Sequence, residues 1–186
     1  MYYNTTGYDN VAIGSQALFF NVTGNRNTSL GTYALILNTT GSYNVALGAD
    51  VLQSNSAGSF NTGVGYRALF RNTTGGSNLA VGASALFANT TGQWNTASGG
   101  AALYSNITGN LNSAFGYNAL TFSKASYNSA LGAYAGNGIV NGNYNVAIGN
   151  GAIFYSDASY TTAIGAFAMS NSSGYGDYNT VVGCLL

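Results

Sequence analysis

The side chains able to do chemistry are few: Arg26, Arg67, Arg71 and Lys124 are the cations, Asp9, Asp50, Asp157 and Asp177 the anions, and Cys184 the one thiol, with no His and no Glu. Acid–base or nucleophilic catalysis needs a carboxylate pair or an imidazole beside a nucleophile, and a metal needs several ligands close together. Four widely spaced Asp supply neither. The sequence therefore assigns no catalytic residue, no metal site and no cofactor, and reads as a protein that is not an enzyme. Four cations at zero net charge also leave too little positive charge to displace the counterions of a phosphate backbone, which argues against nucleic acid as a partner.

Two recurrent groups remain that could meet a ligand. Asn4, Asn21, Asn38, Asn72, Asn89 and Asn106 each open an Asn-x-Thr triplet, with further sequons at Asn27 and Asn171. These match the acceptor pattern for N-glycosylation on surface turns. The same residues could instead cap turns and stack as an amide ladder, because glycans on closely spaced turns would crowd one another. The second group is aromatic: Tyr43, Phe60, Trp94, Tyr127, Tyr144, Tyr160 and Tyr178. Such a column could be a platform for sugars, or a set of stacked rings that stabilises a ladder.

What positions these groups is a tandem repeat. The Asn of Asn10-Val11-Ala12-Ile13-Gly14 recurs at Asn27, Asn44, Asn61, Asn78, Asn95 and Asn112, each 17 residues after the last (27 − 10 = 17), then at Asn128, Asn145, Thr161 and Asn179. The domain is a single array over residues 1–186 with no cap or linker, and its repeats start at 10, 27, 44, 61, 78, 95, 112, 128, 145, 161 and 179. The fifth position is always glycine: Gly14, Gly31, Gly48, Gly65, Gly82, Gly99, Gly116, Gly132, Gly149, Gly165 and Gly183. A column without exception implies positive φ or no room for a Cβ. A second column, Gly24, Gly41, Gly58, Gly75, Gly92 and Gly109, marks another corner, so each unit reads as strand, Gly turn, strand, Asn/Thr/Gly turn.

Frequent Gly together with Asn, Thr, Val, Tyr and Phe disfavours helices. The expected fold is all-β: a parallel β-solenoid, or β-roll, of about eleven 17-residue coils, associated with other chains. Composition agrees. There is no proline and only 4% charge, against roughly 25% in ordinary domains. A stacked coil needs every backbone N–H, which proline lacks, and aligned like charges one strand spacing apart repel. The 46% apolar content excludes simple disorder, and no apolar run reaches the ~20 residues that span a bilayer.

In the first strand, the fourth position is bulky (Ile13, Leu30, Leu47, Val64, Val81, Phe115, Leu131, Ile148, Ile164, Val182) and the third is small. These two positions point to opposite faces. A lone solenoid encloses one face, so the other is expected against a second chain, most economically in a parallel trimer. Exposed Ala columns are the alternative.

The runs N-V-A-I-G (10 to 14 and 145 to 149), N-V-A-L-G (44 to 48) and N-S-A-L-G (128 to 132) resemble head repeats of trimeric autotransporter adhesins. The longer N-T-G-V-G-Y-R-A-L-F-R-N-T-T-G-G-S (61 to 77) is similar to repeats of phage and giant-virus tail-fibre proteins. The resemblance implies a left-handed β-roll, three associated chains and fibres that bind surfaces.

Met1 falls at the ninth position of a unit and Leu186 at the eighth, so copies placed end to end would continue the repeat. Met1, Tyr2, Tyr3, Cys184, Leu185 and Leu186 would form that end interface, with Cys184 able to crosslink. Such a contact does not close and yields a filament. The alternative is a segment of a longer fibre protein. Either way the expected function is structural: self-assembly, head-to-tail or as a trimer, into an extracellular, cell-surface or virion fibre. A surface- or glycan-binding adhesin is the second reading. Ice binding is a third, weakened because Thr28, Thr62, Thr96 and Thr162 share a face with bulky apolar residues.

Overall fold

The computed structural model describes residues 1–170 and 176–184. All strands are three residues long, beginning with β1 (Val11–Ile13) and ending with β11 (Thr180–Val182), and the eleven form one sheet in chain order. Pairing is parallel and places like positions together: Val11 beside Thr28, Ala12 beside Ser29 and Ile13 beside Leu30. No described residue is helical. The protein is a parallel β-solenoid in which one repeat makes one turn.

Each strand is short because both of its ends are fixed. The fifth-position glycines have φ between 113° and 142°, a region in which L side chains are strained. They also lack room: a Cβ on Gly31 would lie 2.3 Å from the Gly48 carbonyl oxygen of the next coil. The second glycine column has only the steric reason. A Cβ on Gly24 would meet the Gly41 carbonyl oxygen at 2.3 Å and the Asn21 side chain at 2.4 Å.

The expectation of a second strand per unit is corrected. The Ala-Leu segment is a turn, with Leu18, Leu35, Leu52, Leu69, Leu86, Leu103 and Leu120 at φ between 49° and 54°. A left-handed leucine costs roughly 1–2 kcal/mol, and burial of its side chain contributes about 1.5–3 kcal/mol. All seven are fully buried, so burial offsets the strain. The leucine N–H still bonds to the next coil, as from Leu35 to the Val51 carbonyl at 3.0 Å.

The small face of the strand is the inner one. Ala46, Ala80, Ala97, Ala114, Ala147 and Ala163 are fully buried against the leucine column, whereas Ile13, Leu30, Phe115 and Leu131 at the fourth position are exposed. The core is thus one Leu wide, and a bulky residue at position three would not fit.

Candidate functional site

Polar side chains in this interior run along the axis in two asparagine columns. At position one, Asn10 Oδ1 accepts both the Asn27 backbone N–H at 2.9 Å and Asn27 Nδ2 at 3.1 Å. Asn27 Nδ2 also donates to the Gly41 carbonyl at 2.9 Å. The pattern of one side-chain oxygen receiving the next coil's backbone continues to Asn145, which accepts the Thr161 N–H at 2.9 Å. At position twelve, Asn38 Nδ2 donates to Asn21 Oδ1 at 2.8 Å and to the same Gly41 carbonyl at 2.9 Å. One glycine carbonyl therefore ties the two columns together in each coil from Gly24 to Gly109.

The sequons belong to this interior. Asn21, Asn27, Asn38, Asn72, Asn89 and Asn106 are fully buried, with their amides held in the columns. The glycosylation reading is corrected at these six positions, since a glycan on Nδ2 would have no way out of the core. Asn4 is half-buried and donates to the Gly7 carbonyl. Asn171 lies outside the described residues.

The aromatic column stands at the corner before each strand. Tyr43 stacks on Phe60 with centroids 4.8 Å apart, and Tyr127, Tyr144, Tyr160 and Tyr178 form a second run at 4.6, 5.0 and 4.9 Å. Every one of these residues has φ near +60°. Between the two runs the column is broken. Ser77 follows Phe60, and Trp94 stands between Ser77 and Leu111, with no aromatic neighbour stacked on it among the described residues. Phe60 is 61% and Trp94 57% exposed, against 42% for Tyr43 and 46% for Tyr127.

Beside this column runs a row of side-chain oxygens at position sixteen. Ser59 Oγ accepts the Ser42 N–H at 3.0 Å, and Asn110 Oδ1 accepts the Gln93 N–H at 2.8 Å. Gly76 occupies that position in the coil that carries Ser77. The Ser59 N–H, which its side chain would have met, has no acceptor among the described residues, and a Cβ on Gly76 would lie 3.9 Å from it. The sequence shows this notch only as two absences, Gly76 and Ser77, in otherwise filled columns.

Four of the charged side chains form opposite-sign pairs on adjacent coils: Arg26 with Asp9 at 3.6 Å and Arg67 with Asp50 at 3.4 Å. Their exposure limits each to a small contribution. Asp157 instead caps a turn. It accepts the N–H groups of Val140, Asn141 and Gly142 at 2.7, 2.5 and 3.0 Å and the Asn141 side-chain amide at 3.0 Å. Partial burial pushes this carboxyl up, and the bonds from Asn141, Gly142 and Val140 together hold it below the usual carboxylate range.

Among the described residues there is no group of three or more potential metal ligands, and no helix long and apolar enough to cross a membrane. Of the residues assigned to an end interface, Met1, Tyr2 and Tyr3 are exposed, with Tyr2 stacked on Phe19 and Tyr3 on Phe20, and Cys184 is an exposed free thiol. Leu185 and Leu186 lie outside the described residues. Sequence reasoning missed a second ring stack, Phe70–Phe87–Tyr104 at 5.2 and 4.9 Å. Its signal was the aromatic tenth position of the unit. No family model matches this chain, and neither the curated proteins nor the solved structures contain a match.

Proposed function

We propose that this chain is a structural segment of an extracellular, cell-surface or virion fibre, assembled from copies of itself side by side and end to end. The supporting observation is the outer face of the sheet. Val11, Ile13, Leu30, Leu79, Val81, Phe115, Leu131, Ile148, Ile164 and Val182 are all exposed on it, in an apolar stripe along the sheet that only Thr96 and Ser98 interrupt with a wholly polar outer face. Contiguous apolar surface of this extent is characteristic of association sites.

A second copy is the natural occupant, because its sheet carries the same columns at the same strand spacing and can match them coil for coil. The stripe also contains a hollow of about 270 Å³, lined by Ser113, Phe115, Ser129, Leu131, Val146 and Ile148, into which an apolar side chain of a neighbouring rod fits. Three parallel rods would cover one such stripe each. On this reading the chain performs no catalysis and binds no cofactor, metal or nucleic acid. A surface-binding role is the second reading, favoured by the unstacked Trp94.

Sedimentation equilibrium with negative-stain microscopy tests the proposal. The expected species has a mass well above the 19.0 kDa of one chain and an elongated outline. Leu131→Lys with Ile148→Lys should reduce it to single chains while the β-sheet circular dichroism persists. A wild-type protein that stays a 19.0 kDa monomer at micromolar concentration would overturn it.

A further inference from the structure

The break in the aromatic column is the shape of one missing ring. With coils about 4.8 Å apart, Phe60 and Trp94 stand roughly 10 Å apart across Ser77. A ring inserted between them would lie one ladder spacing from each, the separation already seen between Tyr43 and Phe60 at 4.8 Å. Within the second run Tyr144 and Tyr160 are covered by a ring on both faces. In contrast, no ring stacks on the sides of Phe60 and Trp94 that face Ser77 among the described residues, and the two are 61% and 57% exposed.

The polar surroundings choose the ligand. The Ser59 N–H lacks the side-chain oxygen that the row at position sixteen supplies to Asn25, Ser42 and Gln93, because Gly76 has no side chain. Ser77 Oγ makes no hydrogen bond among the described residues, and Gln93 precedes Trp94 in the same turn. A ligand for this notch therefore has two apolar faces and peripheral oxygens, and it is uncharged, since Ser59, Phe60, Gly76, Ser77, Gln93 and Trp94 are all neutral. A pyranose ring meets each requirement: its axial C–H groups lie against the aromatic rings and its equatorial hydroxyls reach the donors at the edge. A nucleobase would bring phosphates that this chain has too few cations to neutralise.

We infer that the notch between Phe60 and Trp94 is a binding site for one pyranose unit of a neutral glycan, held between the two rings with a hydroxyl oxygen accepting the Ser59 N–H. The site needs only one chain and is independent of fibre assembly.

Trp94 is the sole tryptophan, so its fluorescence reports the site directly. Cellohexaose, mannohexaose and N-acetylchitohexaose are titrated separately at fixed protein concentration, up to about 10 mM, above which binding is weaker than ~3 kcal/mol. At least one should give a saturable blue shift. Ser77→Tyr puts into the gap the residue that Tyr43 and Tyr144 already provide at the same left-handed φ, so it keeps the fold and should weaken binding at least roughly tenfold. Gly76→Ser supplies the absent oxygen and should weaken it less. The inference is overturned if none of the three sugars gives a saturable change, or if Ser77→Tyr binds as tightly as the parent.

Discussion

Coils 10–111 and coils 112–170 solve the same packing problem differently. In the first stretch every turn has 17 residues and both asparagine columns are complete. In the second, turns shorten by a residue in places, and position twelve passes from Asn106 to Ser123, Ile139 and Ser156, all buried. The position-one column crosses the boundary unbroken through Asn112, Asn128 and Asn145. Register is therefore held by one column alone, the one whose oxygen binds the backbone of the next coil. The other column fills and satisfies the interior, and can be replaced. Its replacement at Ile139 is a change of volume as well as polarity: Gly136 stands at the leucine position, where a Cβ would approach Leu120 at 2.7 Å and Ile139 at 3.3 Å. Ile139 thus fills space that a leucine fills in other coils.

The largest test of this difference compares a position-twelve asparagine inside the first stretch with the one that ends the column at the boundary. Asn72 donates to Asn55 Oδ1 at 2.7 Å and to the Gly75 carbonyl at 2.9 Å, and accepts from Asn89 at 2.7 Å. Asn72→Ala breaks all three bonds and leaves the buried Asn55 Oδ1 and one N–H of Asn89 Nδ2 unpaired, while the Gly75 carbonyl keeps Asn61 Nδ2 at 2.9 Å; the expected loss is about 3–5 kcal/mol. Asn106 only donates, to Asn89 at 2.9 Å and Gly109 at 3.0 Å, and its Oδ1 is already unpaired. Asn106→Ala should cost about 2 kcal/mol. Urea midpoints compare the two, and equal losses would show that the column does not end where the geometry ends it.

A smaller effect, of opposite sign, comes from extending the ladder. Asn106 Oδ1 and Ser123 Oγ are buried side-chain atoms without partners, because a serine is too short to reach across one coil. Ser123→Asn places an amide nitrogen toward Asn106 Oδ1 and should raise stability by about 1 kcal/mol. A fall in the urea midpoint would mean that the 16-residue turn has no space for the longer side chain.

The period, the parallel sheet and the glycine corners were legible because each rests on one residue type at a fixed spacing. The turn at Ala-Leu was not, since nothing in the identity of Leu69 or Leu86 signals a left-handed backbone; a small–large alternation there looks like another strand. The inner face was equally hidden. Large residues usually mark a core, yet here the coil is so narrow that Ala46 and Ala80 face inward and Ile13 and Leu131 outward. The sequons were visible, but their burial depends on both columns converging on one glycine carbonyl, which requires the coil to close. The notch at Ser77 was the least legible feature, because it consists of what two columns omit.

The smallest effect is a pH dependence confined to the second stretch. There the Asn-x-Thr-Gly corner is replaced by Ser156-Asp157-Ala158, and one carboxylate gathers four donors from the coil below. Its pKa is lowered in the folded chain. A carboxyl depressed on folding contributes stability that is complete above its unfolded value of about 3.9 and is lost as pH falls through the lower folded value. Amide exchange at Val140, Asn141 and Gly142 should therefore rise below about pH 4, once the expected acid slowing of the intrinsic rate is divided out, while exchange at Asn27 and Asn44, held by neutral amides, stays unchanged. Asp157→Asn removes the dependence: an asparagine oxygen can still accept from the turn but does not titrate. Equal acid sensitivity on both sides of Asn112 would show that the carboxylate is not what distinguishes the two stretches.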